Sequence, residues 1–85
     1  MKRSVLQTTY RLSVSDEQFD TIIEKDKELM CSNEDLGSLL DKETPARNIE
    51  YTAWFGCVII YDIEKSYDTA EVHEKIENII KEYVS

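Results

Sequence analysis

Cysteine, histidine, glycine and proline are all scarce in this chain of 85 residues, and each scarcity argues against a class of function. The two cysteines and the single histidine, Cys31, Cys57 and His73, lack the spacing of a metal site, and we expect both thiols to be reduced. The two glycines do not form a glycine-rich loop that could hold phosphates. We therefore expect no metal, no cofactor and no enzymatic activity.

Long hydrophobic runs are also missing. No apolar run approaches the roughly 20 residues that a membrane-spanning helix needs, and residues 1–4 lack the apolar core of a signal peptide. We expect a cytoplasmic protein of full length that forms a single domain over residues 1–85. At this size, one sheet layer and one helix layer enclose the core.

Two regions of the sequence predict strands. Residues 4–14 alternate between apolar and polar positions, which is typical of a half-buried strand. Residues 48–63 are rich in strand formers but too long for one strand, so we favour two strands that meet near Gly56, with one strongly bent strand as the alternative. Phe55 then faces the core. Trp54 is either an exposed interface anchor or, in a shifted register, part of the core.

Helix signals follow the first strand and end the chain. Ser15 and Gln18 have the spacing of a capping box, and the helix after them has an apolar face. Residues 33–47 suggest no more than one short helical turn. Asp68 or Thr69 caps the last helix. The apolar face of the first helix is predicted to contain Phe19, Ile22, Ile23, Leu29 and Met30. In the last helix, Glu71 has a capping-box position, and the predicted ion pairs are Glu71–Lys75 and Glu77–Lys81.

The predicted order is β-α-β-β-α, an α+β fold with two layers. We expect a small antiparallel sheet of about three strands, with two helices on one face. In element order the chain resembles a truncated ferredoxin-like unit, β-α-β-β-α-β without its last strand. The first strand would then have an open edge, which favours pairing with a second copy in a homodimer.

Negative charge is concentrated in one part of the chain. The net charge is -8, and residues 16–43 contain ten acidic and three basic residues. Such a field disfavours direct binding to nucleic acid or to an anionic membrane, and it favours a basic protein as partner. The alternative is that the charge serves solubility alone.

Within that part, four acids recur at helical spacing: Glu17, Asp20, Glu24 and Glu28. Spacings of three, four and four residues place them along one helix face, where like charges cost a few tenths of a kcal/mol each. Successive acids are about 6 Å apart along the helix, close to the repeat of phosphates on a nucleic-acid strand. The alternative is a solvated face partly screened by Lys25 and Lys27. The residues predicted to bind a partner are Glu17, Asp20, Glu24, Glu28, Glu34, Asp35 and Trp54.

Asp26 falls in the middle of the apolar arc of the same helix. A carboxylate in that position needs a partner. Either it is an acid with a raised pKa in a small pocket, or its role is structural: it binds Arg11, Arg47 or a tyrosine hydroxyl, or the helix bends there. We favour the structural interpretation.

Size, acidity and the uncompensated helix resemble, in type, the compact inhibitors that phages encode against host defence nucleases, including anti-CRISPR proteins and other DNA mimics. The resemblance implies a non-catalytic inhibitor or regulator of a basic, nucleic-acid-handling protein. The first alternative is a homodimeric assembly module that docks through the strand edge and Trp54. The second is a small-molecule sensor with a cleft between protomers, for which the sequence gives no positive sign.

Overall fold

A computed structural model describes residues 6–85, so the predicted start of the first strand at residue 4 lies outside the described part. The described residues form three strands, three α-helices and two 3₁₀ turns. In chain order these are β1 (Gln7–Ser13), α1 (Asp16–Leu29), a 3₁₀ turn (Met30–Ser32), α2 (Leu36–Glu43), β2 (Arg47–Thr52), β3 (Val58–Glu64), a 3₁₀ turn (Lys65–Tyr67) and α3 (Ala70–Val84).

The three strands form one antiparallel sheet in the order β1-β3-β2. In β1, Tyr10 lies opposite Tyr61 and Leu12 lies opposite Ile59, and Tyr51 of β2 also lies opposite Ile59. Since paired residues share a face, these side chains all point to the side that the helices cover. The predicted α+β class with two layers is confirmed.

Two separate strands, rather than one bent strand, occupy the strand-rich segment, and residues 53–57 connect them. Gly56 has a φ of 115°, a value that L side chains rarely adopt, so its lack of a side chain permits the turn. The prediction that Phe55 faces the core is wrong, because the strand ends at Thr52 and Phe55 lies fully exposed in the turn.

Local capping chemistry fixes where α1 and α3 begin. The Ser15 hydroxyl accepts from the Gln18 N–H at 3.1 Å and the Gln18 side chain accepts from the Ser15 N–H at 3.0 Å, so the predicted capping box is confirmed. Thr69 caps α3 by accepting from the Val72 N–H at 3.3 Å. Because Val72 is then the third helical residue, Glu71 does not form the capping box that its spacing suggested.

The segment after α1 contains a third helix, where the sequence predicted two helices and at most a short turn. Asp35 caps α2, accepting from the Ser38 N–H at 3.3 Å and its hydroxyl at 2.7 Å. Leu36 and Leu40 lie one turn apart and are fully buried, so tertiary packing stabilises this short helix. Gly37 lies in its first turn without breaking it.

The core lies between β3 and the helix layer. Ile59 and Ile63 of the central strand are fully buried, as are Ile22 of α1 and Ile76 of α3. On the opposite face of the sheet, polar side chains meet at Asp62, which accepts from Thr9 at 2.5 Å, from Asn48 at 2.8 Å and from Gln7 at 3.3 Å.

Two smaller predictions about the helices are wrong. Met30 is 62% exposed, because the 3₁₀ turn rotates it away from the apolar face of α1. Over residues 6–85, Arg47 is the one Lys or Arg residue that forms an ion pair, with Asp41, so the pairs predicted within α3 are not formed. Exposed pairs of long side chains gain little energy and lose conformational entropy, which explains their absence.

Candidate functional site

Glu17, Asp20, Glu24 and Glu28, which we call the acidic stripe, are all exposed in the structure. They lie on the side of α1 opposite Ile22, the buried residue of that helix. At a rise of 1.5 Å per residue, the acidic stripe is about 16 Å long. It therefore presents an extended row of carboxylates to solvent.

No cation lies within ion-pair distance of the acidic stripe in the part of the chain that the structure describes. The ion pair found there joins Arg47 to Asp41 at 3.3 Å, and the contact of His73 with Asp68 at 2.7 Å likewise lies outside α1. The four carboxylates are thus left to water and to any partner that approaches.

Lys25 has a position from which it could screen the acidic stripe, but its ammonium group points elsewhere. Its Nζ donates to the Tyr83 carbonyl at 2.5 Å and lies 4.7 Å from the centroid of the Tyr83 ring. That carbonyl belongs to the last turn of α3, where the helix dipole attracts a cation. Lys27, exposed beside the acidic stripe, is the nearer source of compensation.

Glu34 and Asp35 follow α1 but differ in availability. Glu34 is exposed, and its N–H donates to the Leu29 carbonyl at 3.2 Å, which holds it at the C-terminal end of α1. Asp35 is half-buried, and both its carboxylate oxygens accept from Ser38. Glu34 therefore extends the acidic surface, whereas the Asp35 carboxylate is already engaged in capping α2.

Trp54 is 76% exposed in the β2–β3 turn. The adjacent Phe55 is fully exposed, and the two ring centroids are 6.5 Å apart. The exposure of Phe55 was not predicted, because the predicted strand continued to Gly56. The glycine is the one signal in the sequence that the chain leaves the sheet at this point.

The turn lies beside the start of α1. The Cys57 thiol donates to Asp16 Oδ1 at 3.4 Å. Burial raises the pKa of the Cys57 thiol, and the bond to Asp16 and the charge of Asp20 raise it further. A thiol with a raised pKa is a poor nucleophile at neutral pH. The contact with Asp16 holds the β2–β3 turn at the N-terminal end of α1, whereas Glu34 lies at the C-terminal end of the same helix.

Asp26 has the structural role that we favoured, with a tyrosine as its partner. Its Oδ1 accepts from the Tyr83 hydroxyl at 2.6 Å and from the Leu36 N–H at 3.1 Å. Burial raises the pKa of the Tyr83 and Tyr51 hydroxyls, and the nearby Asp26 raises both further. This carboxylate therefore joins α1, α2 and α3.

His73 lies in a second cluster, at the start of α3. Its Nε2 bonds Asp68 at 2.7 Å and its Nδ1 bonds the Tyr61 hydroxyl at 2.9 Å, and Tyr10 also donates to Asp68. The order acid, imidazole, hydroxyl is that of a catalytic triad. Tyr61 is only 3% exposed, however, so a substrate cannot reach this hydroxyl and the cluster serves to join β1, β3 and α3.

Residues 6–85 contain no cluster of three or more His, Cys, Asp or Glu side chains arranged for metal binding. Within the same range, every helix is too short or too polar to cross a bilayer. No family model matches the chain, and searches of curated proteins and of solved structures find no significant match.

Proposed function

We propose that the protein is a small acidic, non-catalytic binding protein that inhibits or regulates a basic, nucleic-acid-handling protein. The observation that carries the proposal is the acidic stripe, which has four exposed carboxylates and no cationic partner among residues 6–85. Of the two lysines of α1, Lys25 is held by α3 instead, which leaves Lys27 as the lysine beside the acidic stripe.

The row of carboxylates suits a groove built for nucleic acid. Lys and Arg side chains that contact phosphates also bind carboxylates through charge-assisted hydrogen bonds. Asp20, Glu24 and Glu28 repeat at about 6 Å along α1 and present a regular array to such a groove. We propose mimicry of a nucleic-acid strand as the mechanism, with phage anti-defence proteins of the anti-CRISPR type as the biological class.

The test compares two variants with the same change in net charge. Asp20→Lys, Glu24→Lys reverses the middle of the acidic stripe, and Glu74→Lys, Glu82→Lys reverses two exposed acids of α3. In affinity capture from host extract, we expect a basic protein to bind the wild type and the α3 variant but not the stripe variant. Equal capture by all three proteins would contradict the proposal, and equal loss from both variants would show that only net charge matters.

Salt dependence provides a second measurement on the captured partner. Association driven by exposed charges should weaken at least about tenfold between about 50 mM and about 200 mM salt. An affinity that does not change over this range would reject the electrostatic mechanism.

A second candidate function, a homodimeric assembly module, is favoured by the edge of β1. The backbone N–H of Lys65 donates to the Leu6 carbonyl at 2.8 Å, and the backbone N–H of Val14 donates to the Cys57 carbonyl at 3.0 Å. Hydrogen-bonded and non-hydrogen-bonded pairs alternate along an antiparallel ladder. These two bonds therefore show that every second residue from Leu6 to Val14 forms its backbone hydrogen bonds with β3. The residues whose backbone N–H and C=O groups point away from β3 are Gln7, Thr9, Arg11 and Ser13.

This open edge fits a truncated ferredoxin-like unit, because β3 lies between β1 and β2 as in a split β-α-β arrangement. A second copy could pair there, with Trp54 adding contact area. Light scattering would then show a dimer at micromolar concentration, and Thr9→Pro, which removes one outward N–H, would give a monomer. A monomeric wild type would reject this candidate.

A further inference from the structure

Trp54 and Phe55, which we call the aromatic tip, expose more apolar surface than the fold requires. Trp54 is 76% exposed and Phe55 is exposed to the full extent of its side chain. Their rings lie close to each other, at 6.5 Å between centroids. Adjacent exposed aromatic side chains form a concentrated apolar patch, which in a small protein marks a binding surface.

The backbone at the aromatic tip is unfavourable for the residue it carries. Phe55 has a φ of 57°, in the left-handed region where glycine or asparagine is usual and a bulky side chain is strained. Full exposure means that burial within the chain does not compensate this strain. Strain that persists without an intramolecular gain is typical of binding sites.

The surroundings of the aromatic tip indicate the chemistry of its partner. Asp16, the first residue of α1, contacts the Cys57 thiol at 3.4 Å, two residues beyond Phe55. The turn that carries the aromatic tip is therefore joined to the first residue of α1, next to Glu17 of the acidic stripe. Acids beside it disfavour insertion into an anionic bilayer and favour an apolar pocket bordered by Lys or Arg.

We propose that the aromatic tip is the apolar anchor of the interface whose charged part is the acidic stripe. Its occupant is a basic protein with an apolar pocket beside a cationic groove, so this inference rests on the proposed function. Phe55 enters the pocket and Trp54 covers its rim, as aromatic anchors do at the centre of protein interfaces. Carboxylates then set orientation and encounter rate, and the rings supply the slow dissociation.

The experiment uses two synthetic peptides of equal positive charge as probes. One is a helical Lys/Leu peptide with a leucine face bordered by lysines, and the other contains lysine without leucine. Trp54 is the single tryptophan, so its emission reports directly on the aromatic tip. We expect the Lys/Leu peptide to bind at least about tenfold more tightly than the lysine peptide and to shift the emission to the blue.

The decisive variant is Phe55→Gly, because glycine accepts the left-handed backbone. We expect its melting temperature to equal or exceed that of the wild type, its affinity for the Lys/Leu peptide to fall at least about tenfold, and its affinity for the lysine peptide to stay unchanged. Met30→Ser, which removes another exposed apolar side chain at the far end of α1, is the matched control and should bind like the wild type.

Several results would overturn the inference. The first is an unchanged affinity of Phe55→Gly for the Lys/Leu peptide, and the second is an equal loss of that affinity in Phe55→Gly and Met30→Ser. The third is a lower melting temperature for Phe55→Gly. The fourth is a shift of the Trp54 emission with phosphatidylserine vesicles but not with the Lys/Leu peptide. The stripe variant Asp20→Lys, Glu24→Lys separates the two proposals. If it loses both peptides while Phe55→Gly binds normally, only the aromatic anchor fails; if it binds both peptides like the wild type, the electrostatic function itself fails.

Discussion

The two ends of α3 are both fixed by a carboxylate that accepts from a tyrosine hydroxyl, but the groups around the two carboxylates differ. At the N-terminal end, Asp68 accepts from Tyr10 and bonds His73, which in turn bonds Tyr61. The bond from Tyr10, followed by the bond to His73, lowers the pKa of Asp68. The hydrogen bonds at this end thus come from side chains of β1, β3 and α3, and no lysine takes part in them.

At the C-terminal end, the carboxylate is Asp26 and the tyrosine is Tyr83. Here the end of α3 also binds Lys25 of α1, whose Nζ donates to the Tyr83 carbonyl. Docking of α3 therefore does more than bury the apolar face of this helix. It withdraws a cation from the helix that carries the acidic stripe, so the charge of the proposed binding surface depends on packing at the opposite side of α1.

Asp26→Ala should cause the largest loss of stability among these changes. It leaves the Tyr83 hydroxyl and the Leu36 N–H without their acceptor, and we expect the free energy of unfolding to fall by about 3 kcal/mol. Urea denaturation measures this. Tyr83→Phe removes one of the two bonds and should cost about 1 kcal/mol. A loss in Asp26→Ala no larger than that in Tyr83→Phe would show that the C-terminal cluster is not organised by Asp26.

Asp68→Asn should have a smaller effect that depends on pH. The folded pKa of Asp68 lies below its ordinary value of 3.8, so its contribution to stability is complete at neutral pH and is lost as the pH falls through the folded pKa. The variant should therefore be less stable than the wild type at neutral pH, and the difference should shrink as the pH falls below 3.8. Urea melts across this range test the prediction, and a constant difference would contradict it.

Lys25→Met and Lys27→Met should distinguish the roles of the two lysines of α1 in stability and in binding. Methionine retains much of the apolar stem but not the bond to the Tyr83 carbonyl, so we expect a loss of about 1 kcal/mol. Lys27→Met removes an exposed lysine and should change stability by less than about 0.5 kcal/mol. The two substitutions should have the opposite order of effect on binding: Lys27→Met should strengthen association with a cationic probe more than Lys25→Met does. Equal effects of the two changes on binding would show that Lys25 also screens the acidic stripe.

Gly37→Ala should give the smallest change, and a favourable one. A Cβ at this position would meet Asp35 Oδ2 at 3.5 Å and Ile49 Cβ at 3.9 Å, both ordinary contacts. Alanine in the first turn of α2 should raise stability by about 0.5 kcal/mol. Thermal unfolding measures the shift, and a decrease would mean that α2 needs the flexibility of glycine.

Local rules predicted the parts of the fold that depend on neighbouring residues. The capping box of Ser15 and Gln18 and the break near Gly56 both follow from chemistry within a few positions. Formation of α2 could not be predicted in this way, because its stability comes from burying Leu36 and Leu40 against elements distant in sequence.

The candidate site shows the same division. Helical spacing placed Glu17, Asp20, Glu24 and Glu28 on one face of α1, and the structure has all four exposed. The position of the Lys25 ammonium group depends on Tyr83, 58 residues away, and could not be read from the sequence. Whether the acidic stripe and Trp54 bind a partner stays a prediction.

The central position of β3 has a consequence for biosynthesis. Both β1 and β2 pair with β3 alone, so on the ribosome neither has a neighbour until residues 58–64 have emerged. The partners of β1 lie 45 to 57 positions away, and such distant contacts make folding slow to begin. We therefore expect residues 6–57 to stay unstructured on the ribosome until β3 has emerged, and the sheet then to form in a single cooperative step.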